Sequence, residues 1–281
     1  MYQTINHFTV HNGESTATVI AHSRHPNGNP DLNLITWELT YPRFIHAELM
    51  MHRAFSRNAA YSRATPVERQ IADVRENPAF FDFVGRNRPG MVATEKIPHE
   101  LLEKFRREWF ELGKVVSEVV EHWSNTYGIH KQTIIRALEP WLRIRTLVTT
   151  TACDAANFYA LRTAPDAQPE MRNLALAMDK AEEFFPETET EWHIPYADDD
   201  SPLRERIIRS VAACARVSVL REDLKPTTIE EDVALVARLE KNRHMSPFEH
   251  VARTADPNGR FYNLRGWTSM RYLMELCGET L

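Results

Sequence analysis

Between Pro98 and Asn125 the apolar residues Leu101, Phe105, Trp109, Leu112, Val116, Val119 and Trp123 recur at spacings of three and four. That period marks one face of a long α-helix. A stripe of this length needs cover, so the chain must build at least one further layer; core or subunit packing explains it better than a cofactor surface. Elsewhere the period changes. LITWELTYP sends Ile35, Trp37 and Leu39 one way and Thr36, Glu38 and Thr40 the other, which is a strand. RIRTLVTTT is rich in β-branched residues and reads the same way. The early segments FTVHNG and TATVIAHS alternate weakly, with the turn-rich HPNGNPD after them. A long helix beside several strands predicts a mixture of helix and sheet, and 281 residues allow one large domain or two small ones.

The remaining segments fill in that frame. Pro42 ends a strand, and Phe44 to Met51 predicts a buried helix that delivers His52 and Arg53 at its carboxyl end, where the helix dipole favours cations. Thr65-Pro66-Val67-Glu68 resembles an N-cap for a helix running to about Glu76. FFDFVGRNRPGM reads as a short strand and a loop, and HKQTIIRALEP as a helix ended by Pro140. ACDAANFYALR and residues 169–185 are helical, while the acidic, Pro-containing stretch 186–202 is expected to be an exposed loop. LRERIIRSVAACARVSVL starts as helix and ends as either helix or strand. TIEEDVALVARLEKN is an amphipathic helix capped by Thr227 or Thr228.

Charge and cysteine usage exclude several function classes. The formal net charge of -5 leaves no global positive field for a nucleic acid or an acidic membrane, so any phosphate binding must be local. The three cysteines, Cys153, Cys214 and Cys277, stand far apart with no CxxC, which argues against a disulfide framework or a structural zinc and fits a reducing cytoplasm. The amino terminus has no basic flank or apolar core of a signal peptide, and no apolar run would span a bilayer.

Four segments concentrate polar groups where core or loop would be expected. Glu48 to Arg63, ELMMHRAFSRNAAYSR, gathers His52, Arg53, Arg57 and Arg63 with Ser56, Asn58, Tyr61 and Ser62. Guanidinium forks beside short hydrogen-bonding groups suit a planar or phosphorylated anion, and equally describe a solvated helix end. The other three are Arg136 with Leu138-Glu139-Pro140, Asn157 with Arg162, Ala167 and Gln168, and His244 with Ser246-Pro247-Phe248-Glu249-His250. Ser246 and Glu249 have the form of a capping box. His244 and His250 lack the further ligands a metal needs, so no metal site is expected. No GxGxxG follows a strand, and neither a P-loop nor a GxSxG elbow is present.

Together the four segments resemble the flavin-dependent, X-type thymidylate synthases. That family's RHRxxSxNxxS, followed shortly by Arg, is matched by Met51-His52-Arg53-Ala54-Phe55-Ser56-Arg57-Asn58 with Tyr61-Ser62-Arg63. Its SPFEH stands intact at Ser246 to His250, and its ARVS, a strand in the family, at Ala215 to Ser218. Asn157-Phe158, Leu161-Arg162 and Ala167-Gln168-Pro169-Glu170 match its NFxxLR and AQxEI. In most of the family ARVS and SPFEH precede the RHR motif; here they follow it, so the order resembles a circularly permuted, phage-type branch. Met51 replaces the first Arg of the motif, and Tyr61 stands where a Ser is usual.

The resemblance implies FAD at His52, Arg53, Asn58, Asn157, His244, Ser246 and Glu249. It implies dUMP or a related pyrimidine nucleotide at Glu48, Tyr61, Ser62, Arg63, Arg136 and Arg162, with Arg162 in the catalytic role. The implied fold is α+β, a mixed α/β single domain over residues 1–281 with a long central helix. NADPH and methylenetetrahydrofolate are the implied co-substrates, and a homotetramer with shared active sites the implied assembly. The implied reaction is reductive methylation of dUMP to dTMP. A flavin- and folate-dependent pyrimidine-nucleotide 5-hydroxymethylase and a non-catalytic flavin- or nucleotide-binding relative are the alternatives.

Overall fold

The computed structural model describes residues 8–197, 200–218 and 226–281. Its strands are β1 (Thr9–Asn12), β2 (Ser15–Arg24), β3 (Leu34–Pro42), β4 (Ser56–Ala59), β5 (Arg143–Thr151), β6 (Thr188–Glu189), β7 (Trp192–His193), β8 (Ala252–Thr254), β9 (Arg260–Phe261), β10 (Leu264–Arg265) and β11 (Trp267–Ser269). Its helices are α1 (His46–Met50), α2 (Val67–Glu76), α3 (His99–Asn125), α4 (Lys131–Ile134), α5 (Ala152–Arg162), α6 (Pro169–Phe184), α7 (Leu203–Ala215), α8 (Ile229–Lys241) and α9 (Met270–Cys277). The expected mixture of helix and sheet is the fold observed.

The main sheet has the order β1-β2-β3-β5-β4, with β6 added parallel to β2. β3 and β5 pair antiparallel along their whole length, from Leu34 opposite Thr151 to Pro42 opposite Arg143. On one face Ile35, Trp37, Leu39 and Val148 meet Phe158 of α5 and Leu174, Ala177 and Met178 of α6 in the largest apolar cluster. On the other, Ile20 and Leu147 meet Cys214 of α7 and Val217. A sheet covered on both faces tolerates polar side chains only where they find partners. That is why Thr36 and Thr149, both fully buried, hydrogen-bond each other.

A second layer forms where α7, α8, α9 and the 3-10 turn Ser246–Glu249 pack around Val211, Val236, Phe248 and Leu273. α8 starts on a complete capping box: Thr228 accepts from Glu231 N, and the Glu231 carboxylate accepts from Thr228 N. Residues 215–218, expected to be a strand in the ARVS resemblance, instead end α7 and continue as the 3-10 turn Arg216–Ser218. Residues 219–220 of that segment lie outside the described residues.

Three further expectations change. FFDFVG forms no strand; Gly85 and Lys96 make an isolated antiparallel bridge instead. HKQTIIRALEP divides into α4 and a 3-10 segment, Ile135–Trp141, that carries Pro140 inside it. Residues 186–202 are not an exposed loop throughout: they hold β6 and β7, and His193, Ile194 and Ala197 are buried. Alternation is too short there, two residues per strand, to be seen in sequence.

α3 is the long helix its period predicts, but it lies to one side. Its main contacts are with α2 and the Ile135–Trp141 segment. Trp109, Val116 and Trp123 cover Ile71, Val120 and Trp141, whereas Leu101, Leu112 and Val119 of the same stripe stay exposed. The close approach is made at Gly113, where a Cβ would lie 2.9 Å from Trp141 Nε1. That indole donates to Trp109 O, so it has a reason to stay. Replacing Gly113 by Val improves helix propensity by less than about 1 kcal/mol but overpacks the contact at a cost of about 1–3 kcal/mol. Gly113→Val is expected to lower the urea midpoint; an unchanged or raised midpoint contradicts this account of the approach.

Candidate active site

β4 ends the main sheet, next to β5, so its side chains reach both sides of the sheet. The chain enters it from α1 through a tight turn in which His52 N donates to Leu49 O and Phe55 N to His52 O. Ser56 and Asn58 point toward the second layer. Asn58 Nδ2 donates to Cys214 O at 2.7 Å, and Ser246 Oγ donates to Asn58 Oδ1 at 3.2 Å. Residues from three distant parts of the chain are thereby joined.

Arg57 lies one residue away and belongs to a different neighbourhood. It donates to Met50 O at 2.6 Å, its guanidinium interacts electrostatically with Glu249 and Tyr41, and burial lowers its pKa. Tyr41 Oη in turn meets His46 Nδ1 and Thr146 Oγ1, each at 2.8 Å. Burial, then the cations Arg43 and Arg57, lowers the pKa of His46.

His52 and Arg162 meet across the end of α5, with Arg162 Nε donating to His52 Nε2 at 2.9 Å. A guanidinium can only donate, so Nε2 carries no proton and Nδ1 carries it. The ring stacks edge-on against Phe158 at 4.7 Å. Burial, followed by the neighbouring charges of Arg162 and Arg57, holds the imidazole down to about 4. His52 is thus a neutral donor between two cations.

A cleft of about 440 Å³ opens on the second-layer side, lined by Asn58, Tyr61, Arg243, His244 and Ser246 among others. Arg243 takes a left-handed φ of 56° where α8 ends, and His244 N then donates to Leu239 O. This is the usual way to close a helix, with Arg in place of the expected Gly or Asn. The Ser246 and Glu249 side chains do not form a capping box: the Ser246–Glu249 turn has no side-chain cap, Ser246 bonds Asn58, and Glu249 pairs with Arg271 Nη1 at 2.7 Å. A smaller cleft of about 100 Å³ next to Tyr61 is lined by Arg43, Ser62, Arg143 and Arg145.

The other expected residues sit around this centre. Arg63 is exposed with its guanidinium 5.4 Å from the Tyr61 ring centre. Arg136 is exposed and pairs with Glu139, which also meets Arg43 at 3.2 Å. Glu48 keeps one buried carboxylate oxygen that has no hydrogen-bond partner among the described residues. Arg53 and Asn157 are exposed. The structure therefore brings together His52 with Arg162, and Asn58 with Tyr61, His244 and Ser246; it leaves Arg53, Arg136 and Asn157 on the surface. Arg43, His46, Arg243 and Arg271 were not picked out from sequence, because each lies in a segment whose pattern is ordinary. Arg57 lies inside the Glu48–Arg63 motif, where residue type alone assigns it no role. No cluster of metal-ligating side chains occurs among the described residues.

Residues 31–187 match the model of a family described as thymidylate synthase complementing protein. That span contains Glu48–Arg63, Arg136 and Asn157–Arg162, and it excludes Ser246–His250. No curated protein matches the chain. Among solved structures, a flavin dependent thymidylate synthase from Helicobacter pylori, complexed with FAD and dUMP, is similar over 54% of this chain and 69% of its own, at 19% identity and a TM-score of 0.38. A UMP/dUMP methylase from Streptomyces cacaoi, bound with 5-Br dUMP, is similar over 60% of this chain and 90% of its own, at 17% identity and a TM-score of 0.49.

The His52 environment makes two measurable demands. Substituting Arg162→Gln removes both a cation and the donor to Nε2, so the His52 pKa is expected to rise from about 4 toward 6.5 in an NMR titration. A pKa that stays low contradicts the electrostatic account. A histidine kept neutral when folded, but protonated near 6.5 when unfolded, weakens the fold as pH falls from about 6.5 to about 4. Urea midpoints are expected to drop across that window and to drop less in His52→Gln.

Proposed function

The chain belongs to the thymidylate synthase complementing protein family, the flavin-dependent thymidylate synthases, and we propose from this that it methylates dUMP to dTMP with FAD, NADPH and methylenetetrahydrofolate. The observation that carries the reading is the Ser246–Asn58–Cys214 junction. It seats the SPFEH turn, which lies outside the family match, against the one strand that continues the RHR-like motif. A separation of 188 residues is closed by one hydrogen bond. That junction also supports a circularly permuted motif order within a single domain.

The donor set suits a flavin nucleotide. His52 offers an Nδ1 proton without a charge, Asn58 and Ser246 offer short polar groups at a cleft of about 440 Å³, and His244 and Arg243 border it. A buried carboxylate oxygen of Glu48, without a hydrogen-bond partner among the described residues, leaves an acceptor for an N–H or O–H of the nucleotide rather than the flavin. On this reading His52, Arg53, Asn58, Asn157, His244, Ser246 and Glu249 hold FAD. When bound, FAD supplies the hydride-transfer chemistry that no side chain can perform.

The nucleotide falls to Glu48, Tyr61, Ser62, Arg63, Arg136 and Arg162. Arg162 donates from Nε to His52, and its other guanidinium nitrogens have no hydrogen-bond partner among the described residues. Set against a uracil carbonyl, they stabilise negative charge that develops on the ring. Arg63 and Arg136, both exposed, match a phosphate dianion by bidentate forks. The surface positions of Arg53, Arg136 and Asn157 fit an active site completed by a second subunit, as in a homotetramer. A cysteine nucleophile has no place in this scheme. Burial pushes the Cys214 thiol up, and its backbone carbonyl rather than its sulfur faces Asn58. Tyr61 borders both clefts and bears on which pyrimidine is accepted.

The test is NADPH oxidation by FAD-loaded protein with and without dUMP and methylenetetrahydrofolate, followed by mass analysis of the nucleotide. The expected results are a yellow flavin spectrum, oxidation that depends on dUMP, and dTMP as product. Arg162→Ala is expected to reduce the rate about 10²–10³-fold, the usual loss when one donor to a developing oxyanion is removed. A hydroxymethylated product identifies the 5-hydroxymethylase alternative, and bound FAD without dUMP-dependent oxidation identifies the non-catalytic one.

A further inference from the structure

Beneath the Ser246–Glu249 turn a line of polar side chains crosses the interior. Ser23 Oγ meets His193 Nδ1 at 2.8 Å, and His193 Nε2 meets Thr36 Oγ1 at 2.7 Å. Thr36 Oγ1 meets Thr149 Oγ1 at 2.6 Å, and Thr149 Oγ1 meets His250 Nδ1 at 2.8 Å. The line joins β2, β7, β3 and β5 to the residue that follows Glu249. Thr36, Thr149, His193 and His250 are all fully buried, and Ser23 nearly so. His250 Nε2 has no hydrogen-bond partner among the described residues.

We propose that these five side chains act as one hydrogen-bonded relay with two polarities, and that its Ser23 end decides whether His250 presents an N–H or a lone pair at Nε2. The argument is a count of protons. Each hydroxyl has one proton to donate, and each neutral imidazole has one. If Ser23 donates to His193 Nδ1, His193 donates from Nε2 to Thr36, Thr36 to Thr149, and Thr149 to His250 Nδ1. The His250 proton must then sit on Nε2. If His250 instead donates from Nδ1, Thr149 donates to Thr36, Thr36 to His193 Nε2, and His193 from Nδ1 to Ser23. The Ser23 proton is then released to point elsewhere. Any mixed arrangement sets two protons or two lone pairs against each other and loses a buried hydrogen bond. Both rings therefore carry the proton on Nε2, or both on Nδ1.

The rings are suited to this because they stay neutral. Burial holds His250 down to about 3, and burial, then His22 and His250, does the same for His193. The Ser23 end lines a cleft of about 220 Å³ bordered by Phe185, Trp192, Tyr196 and Arg206. Whatever occupies that cleft, water or a ligand with a donor or an acceptor, selects the polarity. His193, Thr36 and Thr149 are then positioning residues for the turn that carries Ser246 and Glu249. Their bearing on catalysis rests on the proposed active site; the coupling of the two rings does not.

Long-range proton–nitrogen NMR on the full chain labelled with 15N-histidine reads each tautomer directly, without any assay of activity. The expected wild-type result is the same tautomer at His193 and His250. Ser23→Ala is expected to shift the nitrogen signals of both rings. In the Thr36→Val background, where the line is cut, Ser23→Ala should no longer move His250; Thr36→Ser, which keeps the hydroxyl, should restore the response. Opposite tautomers in the wild type overturn the proposal. So does a His250 signal that ignores Ser23→Ala in the wild-type background, or one that still responds in the Thr36→Val background. Opposite tautomers overturn the proposal even if a variant fails to fold.

Discussion

The pairing of β3 with β5 is the contact on which the other elements depend. Nine residues of each strand face one another without a break. The pleat turns alternate side chains to opposite sides, so one ladder supplies both cores. Trp37 and Val148 go to α5 and α6, while Leu147 goes to α7. β5 also carries β4 on its free side, and α5 begins where β5 stops. Arg57, Asn58 and Arg162 are therefore held by extensions of a single strand. A slip of one residue in the ladder would exchange its faces and separate them.

Electrostatics at the candidate site follows from where that strand ends. Arg57 and Arg162 both act on His52, Arg43 and Arg57 both act on His46, Glu139 meets Arg43 and Arg136, and Glu249 interacts with Arg57 and Arg271. A neutral His52 adds no third positive charge beside Arg57 and Arg162. The chain as a whole is acidic, with a net charge of -5, so the positive region is local and built by folding. Under the proposed function that arrangement suits a small phosphorylated substrate and disfavours a polyanion, whose many phosphates would meet the acidic remainder.

Much of this was legible in the residues. The long period of α3, the alternation in β3 and the β-branched run of β5 named their elements because each pattern repeats over at least nine residues. Short elements were not legible. β7 has two residues, and nothing in WHIPYADDD announces that His193 is buried beneath the sheet. The motif segments were recognised by residue type, but type alone did not separate roles. Ser246 and Glu249 have the spacing of a capping box, yet their side chains bond Asn58 and Arg271, partners supplied by other parts of the chain.

The amino-acid sequence by itself determined the class of fold, the long helix, the strand that organises the sheet and the four segments that carry polar chemistry. These are local properties, encoded in periodicity and in residue types within one segment. Tertiary structure alone decided which segments meet: that Ser246 lies on Asn58, that Arg162 donates to His52, and that His250 is linked through two threonines to His193. The physical reason is that a hydrogen bond depends on a distance of about 3 Å between two atoms. No pattern along one segment records that distance when the partners are a hundred or more residues apart.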